Sequence, residues 1–344
     1  MAASTGAPLL ELRNVSMIFG GGLTGAPTVA VDNVSLRFDE QPPRILSMVG
    51  ESGSGKTTSA RCLLGLSKPT GGTALWRGKD IFRLSAAEFR TYRREVQAVF
   101  QDPYGIYNPY YRIDRVLEVA IHKFRLASSA QQARELIVDA LKAVDLRPDD
   151  ILHRYPHQLS GGERQRIMLA RAYLLRPKVI IADEPISMLD AAVRTLFMNI
   201  LLDFKEQYGV STLFITHDLS TAYYLGGDIL VMEHGRVIEA GPVDSVMTEP
   251  AHPYTRLLLQ SVPSPDPSQR WTNAPPAAAE QASDKLPGAV PAGRNYCLFS
   301  DRCPHVMDVC FAARPRMYQL GNREAACYLH AGSAPASDRV PVAP

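Results

Sequence analysis

The chain is short of the features that would tie it to a bilayer or to nucleic acid. No apolar run approaches the roughly 18 to 20 residues that span a membrane, so any membrane role is peripheral, on the cytoplasmic side. No charge sign dominates: 37 Lys and Arg face 35 Asp and Glu, a net charge of +2. That balance lacks the basic footprint of a nucleic-acid binder. Cysteine is scarce, 5 in 344 residues, which excludes a disulfide-built scaffold. The opening MAASTGAPLLELR has no basic stretch followed by an apolar core, so no secretory signal is expected. There is no internal repeat. What remains is ordinary globular material, 46% hydrophobic, with room for a domain of about 250 residues and a smaller one.

Patterning supplies the first outline. Leu9 to Phe19 and Ala30 to Phe38 alternate apolar and polar, as strands joined by a loose turn over Gly20 to Thr28. Ile45 to Val49 is a short apolar strand, and Lys56 to Leu66 reads as the helix after it. Between Gln101 and Ser160 a helical stretch carries Ala133, Leu136, Ile137, Ala140, Leu141 and Val144 on one face. Val179 to Ala182 suits a buried parallel strand. Val193, Leu196, Phe197, Ile200, Leu201 and Phe204 mark another helix, stopped by Gly209. A strand at Ser211 to Ile215 and a hairpin around His234 and Gly235 bring the first domain to its end near Pro250. Ser261 to Gly293, rich in Pro and Ala, reads as a linker, and Ala331 to Pro344 as a frayed tail.

Between the apolar strand and its helix lies GESGSGKT, Gly50 to Thr57, the pattern G-x-x-x-x-G-K-[ST]. Gly50, Gly53 and Gly55 let the backbone turn its N–H groups inward on phosphate, and the helix adds its positive end. Lys56 is expected to reach the β- and γ-phosphates and Thr57 to ligate Mg²⁺. Glu51, Ser52, Ser54 and Thr58 complete the phosphate-contacting run. A glycine-rich turn without a ligand is the plain alternative. VIIADEP weighs against it, because Asp183 and Glu184 end a buried strand and adjacent acids repel unless a cation sits between them. Asp183 then holds the Mg²⁺ shell, and Glu184 orients the attacking water.

With LSGGERQR at Leu159 to Arg166 the chain resembles the ATP-binding-cassette (ABC) ATPases, whose signature this is. The resemblance implies an α/β fold. A P-loop parallel-sheet core would carry an antiparallel β subdomain and a helical signature subdomain, followed by a small cysteine-containing extension. It also implies that Ser160, Gly161 and Gly162 contact the γ-phosphate bound by an opposite subunit. Ser160 as cap of a helix starting at Gly161 would provide that second anion site. Gln101 in FQDP matches the Q-loop, which senses Mg²⁺ and the lytic water. Asp190 in SMLD matches the D-loop, and His217 in ITHD the switch histidine on the γ-phosphate. Phe19 matches the aromatic that stacks on adenine, although a strand-end Phe is often core. Two segments depart from the family pattern: YGIYNPYYRI after the Q-loop, and ISMLD in place of TSALD.

The division expected is 1–250 as the ATPase domain and 251–344 as an extension. His252, Pro253 and Tyr254 resemble the hallmark of that extension in oligopeptide and dipeptide importer ATPases. Cys62 reads as a buried structural thiol. Cys297, Cys303, Cys310 and Cys327 are separated by five, six and sixteen residues, a crowding that suits a metal site better than disulfides in the cytosol. No C-x-x-C pair is present, and spacing leaves zinc and a [4Fe–4S] cluster both open, with His305 and His330 near enough for a mixed zinc site. The resemblance favours iron–sulfur.

The resemblance implies the ATPase subunit of a bacterial importer at the cytoplasmic face of the plasma membrane. Its partners would be a second ATPase subunit, two transmembrane permease subunits and an extracytoplasmic solute-binding protein, with no nucleic acid. Oligopeptides or dipeptides are the expected solutes, with oligosaccharides as the alternative. The rival class is a soluble cassette protein of DNA repair or translation. Such proteins carry paired cassettes, a coiled-coil insertion or a basic arm, and here only 58 positions separate Gln101 from Leu159.

Overall fold

The computed structural model describes residues 7–20, 27–102, 104–261, 290–291 and 295–336. Most of the expected turn after Gly20, nearly all of the expected linker and the last part of the expected tail lie outside the described residues. The chain divides into two units. A loop unit gathers residues 8–37, 47–80 and 217 onward, and a helical unit gathers 38–46 and 81–216.

The chain enters through β1 (Leu10–Phe19), β2 (Thr28–Phe38) and β3 (Ile45–Val49), the last buried at every residue. Helix α1 (Lys56–Leu63) and strands β4 (Gly71–Trp76) and β5 (Lys79–Asp80) follow. In the helical unit come α2 (Ala86–Glu95), β6 (Val96–Val99), α3 (Asp114–Phe124), α4 (Ala130–Lys142) and α5 (Pro148–Ile151). Helix α6 (Gly161–Leu174), strand β7 (Val179–Asp183), helix α7 (Ala191–Tyr208) and strand β8 (Ser211–Thr216) complete it. The loop unit resumes with α8 (Leu219–Leu225), β9 (Asp228–Glu233), β10 (Arg236–Pro242), α9 (Val243–Thr248) and α10 (Pro253–Gln260). It ends with β11 (Val290–Pro291), α11 (Asp308–Ala312), β12 (Tyr318–Leu320) and β13 (Arg323–Ala325).

In the helical unit β6, β7 and β8 pair in parallel, and Val179, Ile180, Ile181 and Ala182 of β7 are fully buried. A strand covered on both faces has no reason to alternate, and this one does not. The helices around it take the expected registers. Ile137, Ala140 and Leu141 are the buried stripe of α4, and Phe197, Ile200, Leu201 and Phe204 that of α7. Gly209, left-handed at φ 66°, ends α7.

In the loop unit β1, β2, β4, β5 and β11 form one sheet, with β1–β4, β4–β5 and β2–β11 antiparallel. Strands β9, β10, β13 and β12 pair antiparallel in that order. The α/β architecture expected from the sequence is therefore present: a parallel-stranded core, an antiparallel sheet and a helical region that carries the signature. The C-terminal extension is part of the same packing. Tyr254 and Phe299, 0% and 1% exposed, share a core with Val49, Leu219, Ile229, Val231, Ile238 and Val246. Each such buried side chain contributes about 1.5 to 3 kcal/mol.

Glu239 of β10 fixes the entry to the extension. Its carboxylate, fully buried, accepts the N–H groups of Ala251 at 2.7 Å and His252 at 2.9 Å, ahead of α10. Burial raises this carboxyl, and the hydrogen bonds from the Ala251 and His252 N–H groups oppose that rise. We predict that Glu239→Leu orphans two buried N–H groups at a cost of about 2 to 5 kcal/mol. Denaturant unfolding of the full chain, together with proteolysis near residue 261, measures this. Wild-type resistance would remove Glu239 from the anchoring role.

Candidate active site

A glycine-rich loop must take its shape from its surroundings. Gly55, N-cap of α1, lies at φ 101°, and a Cβ there would sit 2.4 Å from the Ala30 carbonyl oxygen. Only glycine fits so close an approach. Lys56, 4% exposed, donates to the carbonyls of Gly50 at 2.7 Å and Glu51 at 2.8 Å and to Ser54 Oγ at 3.3 Å. A buried ammonium needs such acceptors. The loop backbone is tied further by Ser54 N–H to the Glu51 carbonyl and by Gly235 N–H to the Ser54 carbonyl. Ser52, Gly53 and Thr57 are exposed, and Thr58 is half-buried at the first turn of α1. Phe19, 50% exposed, ends β1.

In the helical unit Asp183 and Glu184 stand where β7 ends, both half-buried. Glu184 has φ 46°, a left-handed conformation that a glutamate adopts at a cost of about 1 to 3 kcal/mol. It is held there by its N–H on the Ile215 carbonyl at 3.0 Å and by Ser187 Oγ–H on its own carbonyl at 3.1 Å. Asp190, exposed, is the N-cap residue of α7. Gln101 is exposed after β6. His217, in the loop unit, is exposed just beyond β8.

The signature forms the N-terminus of α6. Ser160 Oγ accepts from Glu163 N–H at 3.2 Å while the Glu163 carboxylate accepts from Ser160 N–H at 2.7 Å, a reciprocal capping box. Gly162 packs so closely on Val193 that a Cβ would come within 2.5 Å of it. Sequence reasoning missed what stabilises this terminus. The aromatic segment that departs from the family pattern lies against it. Tyr107 O–H donates to the Arg164 carbonyl at 2.7 Å, and the Arg164 guanidinium covers the Tyr104 ring at 4.3 Å. Gln165 Nε2 also reaches the Phe100 carbonyl. Burial raises the Tyr107 hydroxyl pKa, keeping it a donor. The run of tyrosines was the available signal.

The four late cysteines are free thiols, as is buried Cys62, whose pKa burial pushes up to about 11. Cys297 N–H donates to the Cys310 carbonyl at 2.9 Å. Burial pushes the Cys297 thiol up to about 11 and raises those of Cys303 and Cys327. A backbone N–H two residues on, from Phe299, His305 and Leu329 respectively, opposes each rise. The four also feel one another electrostatically. Yet no three His, Cys, Asp or Glu side chains among the described residues form a group that could hold a metal ion. The expected four-thiolate centre is thus not assembled here. His330, considered for a mixed zinc site, has its Nε2 3.1 Å from the Ala251 carbonyl instead.

Comparison with known proteins shows the family. The "ABC transporter" family profile matches residues 31–187, and the "Oligopeptide/dipeptide transporter, C-terminal region" profile matches residues 238–310. A probable peptide ABC transporter ATP-binding protein of Sinorhizobium fredii is 39% identical, over 91% of this chain and 86% of its own. The oligopeptide transport ATP-binding protein OppF of Escherichia coli is 38% identical over 83% of both chains. Among solved structures, the dimeric post-hydrolysis state of the cassette MJ0796 bound to ADP and phosphate superposes with TM-score 0.59. It is 29% identical and covers 68% of this chain and 98% of its own. The chain belongs to the ATP-binding subunits of ABC transporters, in the branch that carries the oligopeptide/dipeptide-type C-terminal region. It is an ATPase of that type, for which ATP and Mg²⁺ are the expected substrate and ion.

Two buried groups make the extension's attachment pH-dependent. His252 is 2% exposed and its Nδ1 accepts the Tyr254 N–H at 3.1 Å. Burial, with His330 nearby, lowers its pKa to about 3. Burial pushes Glu233 up to about 8 against the pull of Arg302. His252 therefore loses stability as pH falls from its ordinary 6.5 towards 3, and Glu233 loses it as pH rises from its ordinary 4.5 to 8. The two slopes oppose one another between pH 4.5 and 6.5. We predict that thermal unfolding shows wild type minus His252→Asn declining on the acid side, and wild type minus Glu233→Gln on the alkaline side. Flat difference curves would contradict the assignment.

Proposed function

We propose that this chain is the ATP-hydrolysing subunit of a bacterial importer for oligopeptides or dipeptides. The observation that carries the reading is a phosphate loop on a unit whose core is completed by a peptide-transporter-type extension. Residues 1–250 form the ATPase domain and 251–344 the extension. An oligosaccharide importer is the alternative solute reading, and no nucleic acid takes part.

Lys56 and the loop N–H groups bind the phosphates, with Gly50 to Thr58 as the contacting run and Phe19 against the base. Thr57, Asp183 and Gln101 would hold Mg²⁺, which would neutralise phosphate charge. Glu184 orients the attacking water, with His217 on the γ-phosphate. Ser160, Gly161, Gly162 and Asp190 serve a nucleotide bound by a second ATPase subunit. Catalysis is chiefly positioning and charge stabilisation. The remaining partners are two transmembrane subunits and an extracytoplasmic solute-binding protein. Exposed Ile106, Tyr110 (85% exposed) and Tyr111, after Gln101, offer an apolar surface suited to a protein partner. No helix among the described residues is long and apolar enough to cross a membrane, which fits peripheral attachment at the cytoplasmic face.

In this reading Cys297, Cys303, Cys310 and Cys327 would hold a [4Fe–4S] cluster, zinc being the alternative. The gathering of four cysteines within residues 297–327 and backbone N–H groups that hold down the thiols of Cys297, Cys303 and Cys327 support it. The cluster would supply cross-linking rather than electrons to a segment too small to bury much apolar area.

Two experiments test these assignments. Glu184→Gln should keep MgATP binding and slow single-turnover hydrolysis in the assembled transporter by about 10²-fold or more. Near wild-type turnover at the mutated site removes Glu184 from catalysis. Anaerobically purified chain should contain about four irons, and Cys303→Ser should lose them without losing ATP binding. Zinc without iron would replace the cluster, and metal-free thiols in a folded extension would defeat both.

A further inference from the structure

One residue tied to the extension from both its backbone and its side chain is in the phosphate loop itself. Glu51 N–H donates to the Tyr254 hydroxyl oxygen at 3.0 Å. The Glu51 carbonyl accepts from Lys56 at 2.8 Å and from Ser54 N–H at 3.2 Å. Its carboxylate receives Arg302 in a two-point fork, at 3.0 and 3.3 Å. Both peptide groups and the side chain of one loop residue are thus fixed, two of these three ties coming from beyond residue 250.

Arg302 is itself held in place. Its Nη2 donates to a carboxyl oxygen of buried Glu233 at 3.1 Å. The guanidinium lies 5.7 Å from the Tyr254 ring centre and 5.3 Å from that of Phe299. The two rings meet edge to face at 5.6 Å in the loop unit's core. Every residue named belongs to that unit.

We propose that Tyr254 and Arg302 are positioning residues for the nucleotide: the extension clamps Glu51 and so sets the geometry and charge of the phosphate loop. This rests on the reading of the loop as the ATP site. The Glu51–Arg302 limb is about half-exposed on the Glu51 side, so it adds little to stability. Its effect is on charge. A carboxylate on a loop that binds a triphosphate repels it, and a bidentate guanidinium cancels that charge while fixing its place.

The test is nucleotide affinity of the full-length chain, read with a fluorescent ATP analogue, with thermal unfolding measured alongside. Arg302→Ala should weaken binding about tenfold and Tyr254→Phe about fivefold. Adding Glu51→Gln to Arg302→Ala should restore most of the loss, because the uncancelled charge is gone. A packing role predicts no such rescue. In the assembled transporter both single variants should raise KM and leave kcat within about twofold, since the clamp acts on bound ATP and its transition state alike. If Arg302→Ala fails to fold, Arg302→Gln and Tyr254→Phe carry the same test. Folded variants with wild-type affinity, or a double variant as weak as Arg302→Ala, overturn the proposal. Lys56→Ala separates the two readings. Unchanged binding there overturns the nucleotide-site assignment and the clamp with it. Loss in Lys56→Ala alone overturns only the clamp.

Discussion

A loop rich in glycine has few side chains with which to hold itself, and that constraint organises the loop unit. The frame therefore grips mostly its carbonyls and its flanks, and of its N–H groups it ties those of Glu51 and Ser54. Lys56 takes the carbonyls of Gly50 and Glu51, Gly235 takes that of Ser54, and Ala30 closes on Gly55. Strand β9, the turn after it and the extension are thereby drawn into the phosphate site's support. A short buried strand such as β3 fixes where the loop starts but not its conformation.

Besides its apolar core, the extension is attached through buried and half-buried polar groups, because apolar contact alone is non-directional. Glu239 terminates the approach to α10, Glu233 anchors Arg302, and Asp32 binds both Arg236 and Arg314, at 2.9 and 2.6 Å. Burial raises Asp32, but the two guanidiniums outweigh it and hold the carboxyl below its usual range. Arrangements of this kind are demanding, because removing one partner strands the other. They also fix a unique seat for the module, which the loose β10–β13 pairing of two residue pairs would not do.

Much of this was legible in the residues. The loop, the acid pair and the signature announce themselves because each chemistry needs particular residue types at fixed spacing, and α4 and α7 because burial imposes a helical period. Strands β4 and β6 were not anticipated. β6 is four residues long and β4 begins with two glycines, so neither shows alternation. Helix α2 was missed although Ser85 and Glu88 form its capping box, the one signal in that stretch. The clamp on Glu51 was invisible for another reason: Arg302 lies 251 positions away from it, and no local pattern encodes a contact made only after both ends have folded.

The left-handed backbone of Glu184 carries a further implication. Glycine, asparagine or aspartate would sit there with less strain than glutamate. Selection for robustness alone therefore pushes this position towards residues that shorten or delete the carboxylate arm. A thermostability screen run without an activity screen would be drawn to substitution here, which on the catalytic role proposed for Glu184 trades turnover for fold strength.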